Sequence, residues 1–217
     1  MAEPAAPRAA ATGIAGIADP APLGLAAFAL TTFLLSVSNA HLTRGTGAPW
    51  VAYALAYGGL VQLLAGMWEF RRGNTFGSVA FSSYGAFWIG LFAYGIFVKS
   101  DNEFNDLGWV ALAFAIFNLY MLVAATRVNL AVFAVFLTLQ ITEIVLFIGY
   151  FSSSENTIKV GGWVGIVTAA TAWYTSFAGV FNSLGGDRAL PVGAPLMREG
   201  ALSGVPRQAE RVSVPGA

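Results

Sequence analysis

Six long apolar runs, separated by short polar connections, constrain this chain more than any other feature of its sequence. Each run has about 20 residues, which is enough for an α-helix to cross the ~30 Å hydrocarbon core of a bilayer. The predicted spans are 19–42, 50–70, 78–98, 107–125, 130–150 and 160–184. The sequence therefore predicts an all-α integral membrane protein, built as a bundle of six transmembrane helices.

The composition agrees with a lipid environment. Of the 217 residues, 57% are hydrophobic and 10% are charged, whereas soluble domains carry about a quarter charged residues. The mean hydropathy is +0.68. The formal net charge is zero, so the overall charge gives no indication of nucleic-acid binding. The sequence contains no cysteine, which excludes disulfides and thiolate metal sites.

The basic residues are distributed unequally between the two sides of the predicted bundle. Six spans place both termini on one side, together with these arginines: Arg8, Arg71, Arg72, Arg127, Arg188, Arg198, Arg207 and Arg211. The other side has Arg44, Lys99 and Lys159. Because cytoplasmic connections carry an excess of Lys and Arg, both termini are predicted to be cytoplasmic, in a multi-pass protein of the plasma (inner) membrane.

Both ends of the chain have the composition of segments without fixed structure. Residues 1–18 are rich in Ala, Pro and Gly, lack the pattern of a secretory signal, and are predicted to form a disordered tail. Residues 185–217 are rich in Pro, Gly and Arg and are predicted to be mobile. The membrane domain between them, 19–184, opens at Asp19, a predicted N-cap of the first helix.

Two carboxylates lie within the apolar spans. Glu143 is in the middle of the fifth span, where a charge costs at least ~2.5 kcal/mol, so this residue either is protonated and bonded to another helix or faces a cavity. Glu69 is near the end of the second span, and the sequence leaves open both an ion pair with Arg71 or Arg72 and a role in a pathway.

Two polar stripes at helical spacing accompany these carboxylates. They comprise Phe28, Thr32, Ser36 and Asn39 in the first span, and Gly58, Gln62, Gly66 and Glu69 in the second. Such stripes occur where another helix packs closely or where water lines a pore, and the spacing alone fits both.

No combination of residues in the sequence indicates an enzyme. The single histidine, His41, lies in a predicted loop and cannot build a His-rich metal site. No lysine lies within a span, no acidic cluster offers several oxygen ligands to a metal, and no glycine-rich phosphate loop follows a strand. The sequence therefore predicts a protein without catalytic activity, metal or cofactor.

Three blocks of the sequence resemble the acetate/succinate transporter family, the acetate uptake transporters of bacteria, archaea and fungi. Residues 19–25, DPAPLGL, are similar to the family signature NPAPLGL. Residues 57–88 follow its patterns YGG-x-x-Q-x-x-AG-x-x-E and GNTFG-x-x-x-F-x-SYG-x-FW. Residues 162–165, GWVG, and 190–193, LPVG, resemble its last helix and exit, so that the resemblance covers about 19–193.

This resemblance implies a homohexamer of six-helix subunits, each with its own pore for acetate and similar small carboxylates, including succinate in some members. It also implies a hydrophobic constriction in the middle of the membrane, made by a Phe, a Tyr and a Leu. The matching residues here are Phe28, Tyr84 and Leu139, with Leu137 as the alternative leucine. A short apolar constriction of this kind gates by excluding water.

Further roles follow for the polar residues if the resemblance holds. Thr32, Ser36, Asn39 and Gln62 are expected to offer hydrogen bonds along the pore, and Glu69 and Asn74 to fix the hinge between the second and third spans. Asp19 replaces the Asn of the signature and would repel an anion unless it is protonated or paired.

Glu143 departs from the apolar or aromatic residue that is common in the family. It lies four residues from Leu139, and hence on the same helix face about one turn away. We therefore expect it to act as a protonation switch, permitting passage when neutral and repelling carboxylates when ionised.

Two other functions stay open at this stage. The chain can be a pore for another small solute, such as ammonium or a larger dicarboxylate. It can also be a membrane sensor without transport, although the short tails offer no sizeable output domain.

Overall fold

The computed structural model describes residues 16–44 and 48–197, and six helices within them are long and apolar enough to cross a membrane. They are α1 (Ala21–Asn39), α2 (Pro49–Arg72), α3 (Thr75–Phe97), α4 (Glu103–Ala125), α5 (Leu130–Phe151) and α6 (Glu155–Ser183). The prediction of an all-α bundle with six membrane-spanning helices is confirmed. The cytoplasmic location of the termini stays a prediction.

The helices are arranged so that α1 lies between α6 and α2, with α5 and α4 following beyond α6. Threonine pairs join α5 to α6, since the hydroxyls of Thr142 and Thr168 are 3.0 Å apart and those of Thr138 and Thr171 are 3.3 Å apart. The backbones of α3 and α4 have few close contacts, and aromatic rings fill the space between them. The ring centroids of Phe87 on α3 and Phe114 on α4 are 4.6 Å apart.

Glycines allow α2 to lie close to its two neighbours. The segment Ala54–Val61 within α2 is π-helical and contains Gly58, whose α-carbon faces α1. A β-carbon at Gly58 would lie 2.6 Å from Thr31 Oγ1, so only glycine fits at this crossing. Gly73 ends α2 at φ +82°, a left-handed conformation that glycine adopts without strain, and the chain turns directly into α3.

Two helices start more than three residues before the positions predicted from the sequence. Helices α4 and α6 begin four and five residues before the predicted 107 and 160, at Glu103 and Glu155. The side chains of Asn102 and Ser154 accept hydrogen bonds from backbone amides of their first turns, so the polar segments predicted as loops are partly helical. Pro20, directly before α1, already has a helical backbone (φ −80°, ψ −14°), so it belongs to the first turn of the helix. Asp19 Oδ1 accepts a hydrogen bond from Ala21 N at 3.1 Å, which is the contact that a capping side chain makes.

Residues 185–197, which we call the C-terminal strap, lie across the ends of three helices. Tyr174 Oη on α6 donates to Pro191 O at 2.6 Å, and Asn182 bonds both the N–H and the carbonyl of Leu190. Two backbone hydrogen bonds also hold the strap. Val192 O accepts from Ala131 N of α5 at 2.9 Å, and Met197 N donates to Thr126 O after α4 at 3.0 Å. This part of the predicted mobile tail is therefore bonded to the bundle. Residues 198–217 and most of the predicted N-terminal tail, 1–15, lie outside the described residues.

Candidate functional site

Phe28, Tyr84 and Leu139 come together in the interior of the bundle, from α1, α3 and α5. The rings of Phe28 and Tyr84 meet edge to face with centroids 5.6 Å apart, and Leu139 belongs to the same buried cluster. Leu139 is 7% exposed whereas Leu137 is 40% exposed, so the structure places the first leucine inside and the second on the outer surface.

A very small cavity of about 20 Å³ lies at this cluster. Its wall consists of Leu25, Phe28, Gln62, Ala80, Phe81, Tyr84, Val135, Phe136 and Leu139. A single water needs about 10–15 Å³ of such volume, so the cavity has room for roughly one water molecule. Gln62 supplies the amide of this wall, and its Oε1 has no hydrogen-bond partner among the described residues.

Two much larger cavities lie on either side of this cluster. One, the outer cavity, has a volume of about 450 Å³ and extends from the connections after α1, α3 and α5 inward to Glu143. The other, the inner cavity, has about 730 Å³ and lies at the ends of the bundle that include Asp19 and Arg72. Leu25 lines both the inner and the small cavity, and Tyr84 of the small cavity is bonded to Glu143 of the outer one. The three cavities therefore follow one another through the bundle.

The inner cavity is lined by both starts and ends of helices. The starts are represented by Ala21 of α1, Asn74 before α3 and Asn129 before α5, and the ends by Arg72 of α2 and Asn182 of α6. The half-charges at helix starts and ends have opposite signs, so they largely cancel at this cavity. Arg72 forms a salt bridge with Asp19, so the carboxylate that replaces the signature Asn is paired.

Four polar side chains form a connected network on the outer side of Tyr84. The Tyr84 hydroxyl lies 3.0 Å from Glu143 Oε1 and 3.1 Å from Asn118 Oδ1. Asn118 Nδ2 donates to Phe136 O and to Gln140 Oε1, both at 2.9 Å, and Gln140 Nε2 donates to Ala115 O at 3.1 Å. Glu143 therefore both contacts another helix and lines a cavity, which the sequence had left as alternatives.

The other predicted polar residues fall into two groups. Asn39 lines the outer cavity, and Asp19 and Asn74 line the inner cavity. Thr32, Ser36 and Glu69 line none of these three cavities. Ser36 instead faces Gly165 on α6 at the contact between two helices.

Glu69 has neither of the surroundings that the sequence left open. An ion pair with Arg71 or Arg72 is absent from the described residues, where Arg72 pairs with Asp19, and Glu69 lines none of the three cavities. Glu69 is fully buried beside Gly77 at the start of α3, and neither of its carboxylate oxygens has a hydrogen-bond partner among the described residues. Asn74 Oδ1 accepts from Gly77 N at 3.2 Å, so both residues predicted to fix the hinge lie against its first helical turn.

Asn118 and Gln140 are the two residues of the network that sequence reasoning missed. Each is a polar amide in the middle of an apolar span, which is itself a sign that another helix supplies its hydrogen-bond partners. A search limited to charged residues and to repeating stripes passes over them because each is an isolated position.

Residues 2–186 match the GPR1/FUN34/yaaH family, which is most of the chain. The chain belongs to this family. The resemblance found in the three sequence blocks is thereby confirmed, and the six apolar helices make the chain a multi-pass membrane protein.

Two fungal members of the family, one named for acetate and one for ammonia, are similar to this chain. Acetate permease A of Emericella nidulans is 41% identical over 196 residues, which are 81% of this chain and 65% of the relative. Ammonia transport outward protein 2 of Saccharomyces cerevisiae is 40% identical over 174 residues, 75% of this chain and 61% of the relative. The chain thus spans less than two thirds of these fungal relatives.

A solved structure of similar length is that of the bacterial acetate channel SatP. It superposes with a TM-score of 0.77 at 32% sequence identity, and the match covers 82% of this chain and 99% of that one. The fold of the six-helix bundle is therefore shared with a protein described as an acetate channel.

Proposed function

We propose that this chain forms a pathway for acetate and related short carboxylates, including succinate, across the plasma membrane. The observation that carries the proposal is the succession of cavities, two large and one of about 20 Å³, with Phe28, Tyr84 and Leu139 around the smallest. The similarity to acetate permease A and to the acetate channel SatP supports the same substrate class.

The small cavity is the selective part of this pathway. Apart from Gln62 and the hydroxyl of Tyr84, its wall is apolar and offers a carboxylate little replacement for its water shell, so ionised or bulky acids meet a high barrier there. A small or protonated acid loses less hydration and occupies less volume. Because the cavity holds roughly one water, passage of acetate requires the rings of Phe28 and Tyr84 to move aside.

Polar residues act on the substrate at three successive places, the inner cavity, the small cavity and the outer cavity. At the inner cavity, the pairing of Asp19 with Arg72 reduces the repulsion that a free carboxylate would cause. Gln62 offers its amide within the small cavity, and Asn39 lines the outer cavity. Thr32 and Ser36 act in helix packing rather than on the substrate.

The remaining features of the proposal concern the assembly and its placement. Both termini face the cytoplasm, because the connections on that side have most of the arginines. Six copies assemble, each with its own pathway, as the family resemblance implies, and the protein transports without catalysis or a cofactor. Native mass spectrometry of the detergent-solubilised protein tests the assembly, and a mass other than six chains contradicts it.

Uptake of labelled acetate into liposomes tests the proposed function. We compare the wild-type protein with Phe28→Ala, Tyr84→Ala and the control Phe97→Ala, whose side chain is exposed at the end of α3. Acetate flux is expected in wild type and in the control, with a several-fold change in both constriction variants. Flux equal to that of empty liposomes contradicts transport and favours a sensor. Flux unaffected by both constriction variants places the pathway elsewhere.

Ammonia is a second candidate substrate, because one relative is named for ammonia transport and the small cavity suits a small neutral molecule. The same liposomes, loaded with a pH-sensitive dye, report ammonia entry as an internal rise in pH. Ammonia entry that Phe28→Ala changes, without any acetate flux, favours this candidate over carboxylates.

A further inference from the structure

We propose that Asn118 and Gln140 are positioning residues that connect the protonation of Glu143 to the constriction through the hydroxyl of Tyr84. The inference rests on the proposed function, because it assigns a role within that pathway. It is carried by the direction of each hydrogen bond in the network, which two backbone carbonyls determine.

The amide orientations follow from partners that can only accept. Phe136 O is a carbonyl, so the group of Asn118 that lies 2.9 Å from it is the NH₂ group. Ala115 O determines the orientation of Gln140 in the same way, at 3.1 Å. The carbonyl oxygen of Gln140 then accepts from Asn118, and the only group of Asn118 left to face Tyr84 is its own oxygen.

Tyr84 consequently has one proton and two possible acceptors. Its hydroxyl is 3.1 Å from Asn118 Oδ1 and 3.0 Å from Glu143 Oε1. A phenol donates one hydrogen bond, so it cannot satisfy both oxygens at the same time. Which oxygen receives the proton depends on whether Glu143 itself has one.

The network is complete only when Glu143 is protonated. The carboxylic acid then donates to Tyr84 Oη, and Tyr84 donates to Asn118, so every member has a partner. When Glu143 is ionised, the stronger charge-assisted bond draws the phenol proton to the carboxylate. Asn118 Oδ1 then lies buried without a donor, which is unfavourable for a polar atom.

Tyr84 connects the protonation of Glu143 to the pathway, because its ring and its hydroxyl lie in different surroundings. Its ring is part of the wall of the small cavity and lies edge to face against Phe28, while its hydroxyl belongs to the network. Asn118 holds the hydroxyl on the α4 side, and Gln140 holds Asn118. Loss of the proton from Glu143 releases the bond to Asn118 and changes how the ring is held at the constriction.

The other titratable groups near Glu143 lie toward the mouth of the outer cavity. They are His41 after α1, Tyr94 on α3, Glu103 on α4, Tyr150 on α5 and Glu155 on α6. Tyr84 is the titratable side chain that directly contacts Glu143 in the described part of the chain. Glu143 Oε2 has no partner there, so protonation of this carboxyl is not opposed by any donor to its second oxygen.

The test measures acetate flux against pH in variants of similar size. In wild type, flux falls as the pH rises through the ionisation of Glu143. Asn118→Leu removes the acceptor that favours the protonated network, so the midpoint is expected to move about one unit to lower pH. Tyr84→Phe removes the donor that stabilises the carboxylate, so its midpoint moves to higher pH. Gln140→Met moves the midpoint in the same direction as Asn118→Leu but less.

Two controls separate this role from a structural one. Asn105→Leu changes an exposed asparagine on the same helix, α4, and is expected to retain the wild-type midpoint. Glu143→Gln is expected to flatten the pH dependence to the part that comes from protonation of acetate itself, and Asn118→Leu added to it is expected to cause no further shift. Lower flux with an unchanged midpoint in both Asn118→Leu and Gln140→Met overturns the proposal, and so do shifts of equal sign in Asn118→Leu and Tyr84→Phe.

Infrared titration distinguishes failure of this inference from failure of the proposed function. The carbonyl band of a protonated carboxylic acid, assigned to Glu143 by its loss in Glu143→Gln, is followed against pH without any transport. The band is expected to disappear at lower pH in Gln140→Met than in wild type. A shifted band without acetate flux supports the network and contradicts the transport proposal, whereas an unshifted band with normal flux overturns the network alone.

Discussion

At the scale of single residues, Leu139 and Leu137 allow a direct comparison of a side chain in the interior of the bundle with one on its outer surface. Both are leucines on α5, two positions apart, and only Leu139 belongs to the buried cluster around Phe28 and Tyr84. Replacing Leu139 by Ala enlarges the small cavity, so we expect the flux of succinate to rise several-fold relative to that of acetate. Competition between the two labelled acids in liposomes measures this ratio. Leu137→Ala is the matched control, and an equal change in both variants contradicts the assignment.

Asp19 gives a second prediction at this scale. Asp19→Asn restores the residue of the family signature and releases Arg72 from its salt bridge. The pair is partly exposed, so its loss is expected to change the unfolding free energy by less than about 1 kcal/mol. The freed positive charge at the inner cavity is expected to increase acetate affinity, measured as half-saturation of efflux from loaded liposomes. Because salt screens exposed charges, the gain should shrink at high ionic strength.

A constant gain at all salt concentrations argues against an electrostatic cause for the Asp19→Asn effect. The control is Asp187→Asn, which changes an exposed carboxylate of the C-terminal strap. This control is expected to leave half-saturation unchanged.

Residue-level prediction from the sequence was most direct for Phe28 and Tyr84, which follow family motifs that fix the residue type and its spacing. Leu139 was chosen over Leu137 without such a motif. The three side chains lie together in the structure, and their role in a pathway stays a proposal. The bonds of Asn118 and Gln140 were not foreseen, because they depend on how α4 and α5 are rotated against each other. For Glu69 the sequence left open an ion pair or a pathway role, and in the structure its carboxylate faces Gly77 at the start of α3, as its implied role at the hinge requires.

At the scale of the helices, close approach of α2 and α3 depends on glycine. A β-carbon at Gly85 would lie 2.7 Å from Leu63 N, a backbone atom that cannot move without displacing α2. Gly85→Ala is therefore expected to destabilise the bundle by roughly 1–3 kcal/mol. The measurement is the midpoint of thermal unfolding in detergent, followed by loss of the monodisperse peak.

Gly90→Ala is the matched control on the same helix, because a β-carbon there meets no atom within 4 Å. It is expected to retain or slightly raise the midpoint, since alanine favours helix more than glycine does. Equal losses in both variants would mean that intrinsic helix preference, and not the crossing with α2, governs the effect.

The limits of the helices were predictable only where lipid determines them. Hydropathy located each apolar span, but α4 and α6 extend into polar segments through the caps at Asn102 and Ser154. A capping residue is recognised by the amide it accepts from, which is a property of the folded turn. The π-helical segment of α2, Ala54–Val61, likewise has no distinct hydropathy from which the sequence could predict it.

At the scale of the whole molecule, the helices form a closed arrangement with a weaker junction between α3 and α4. Rings rather than backbones meet at this junction, among them Phe87, Phe114 and Phe117 around Tyr84. Phe114→Ala is expected to loosen the wall of the outer cavity and to increase acetate flux without a change in its pH midpoint, because the network at Asn118 stays intact. A shift of the midpoint in this variant would contradict the separation between ring packing and the polar network.

The C-terminal strap has a mechanical consequence for the inner cavity. Its hydrogen bonds join the end of α4, the start of α5 and the last turns of α6 into one rim, and Val192 of the strap lines the cavity itself. One side of the rim of the inner cavity is thus cross-linked by a single short segment of the chain. In the proposed pathway, any widening of this cavity therefore falls to the opposite side, because within the described residues no hydrogen bond joins the strap to the starts of α1 and α3.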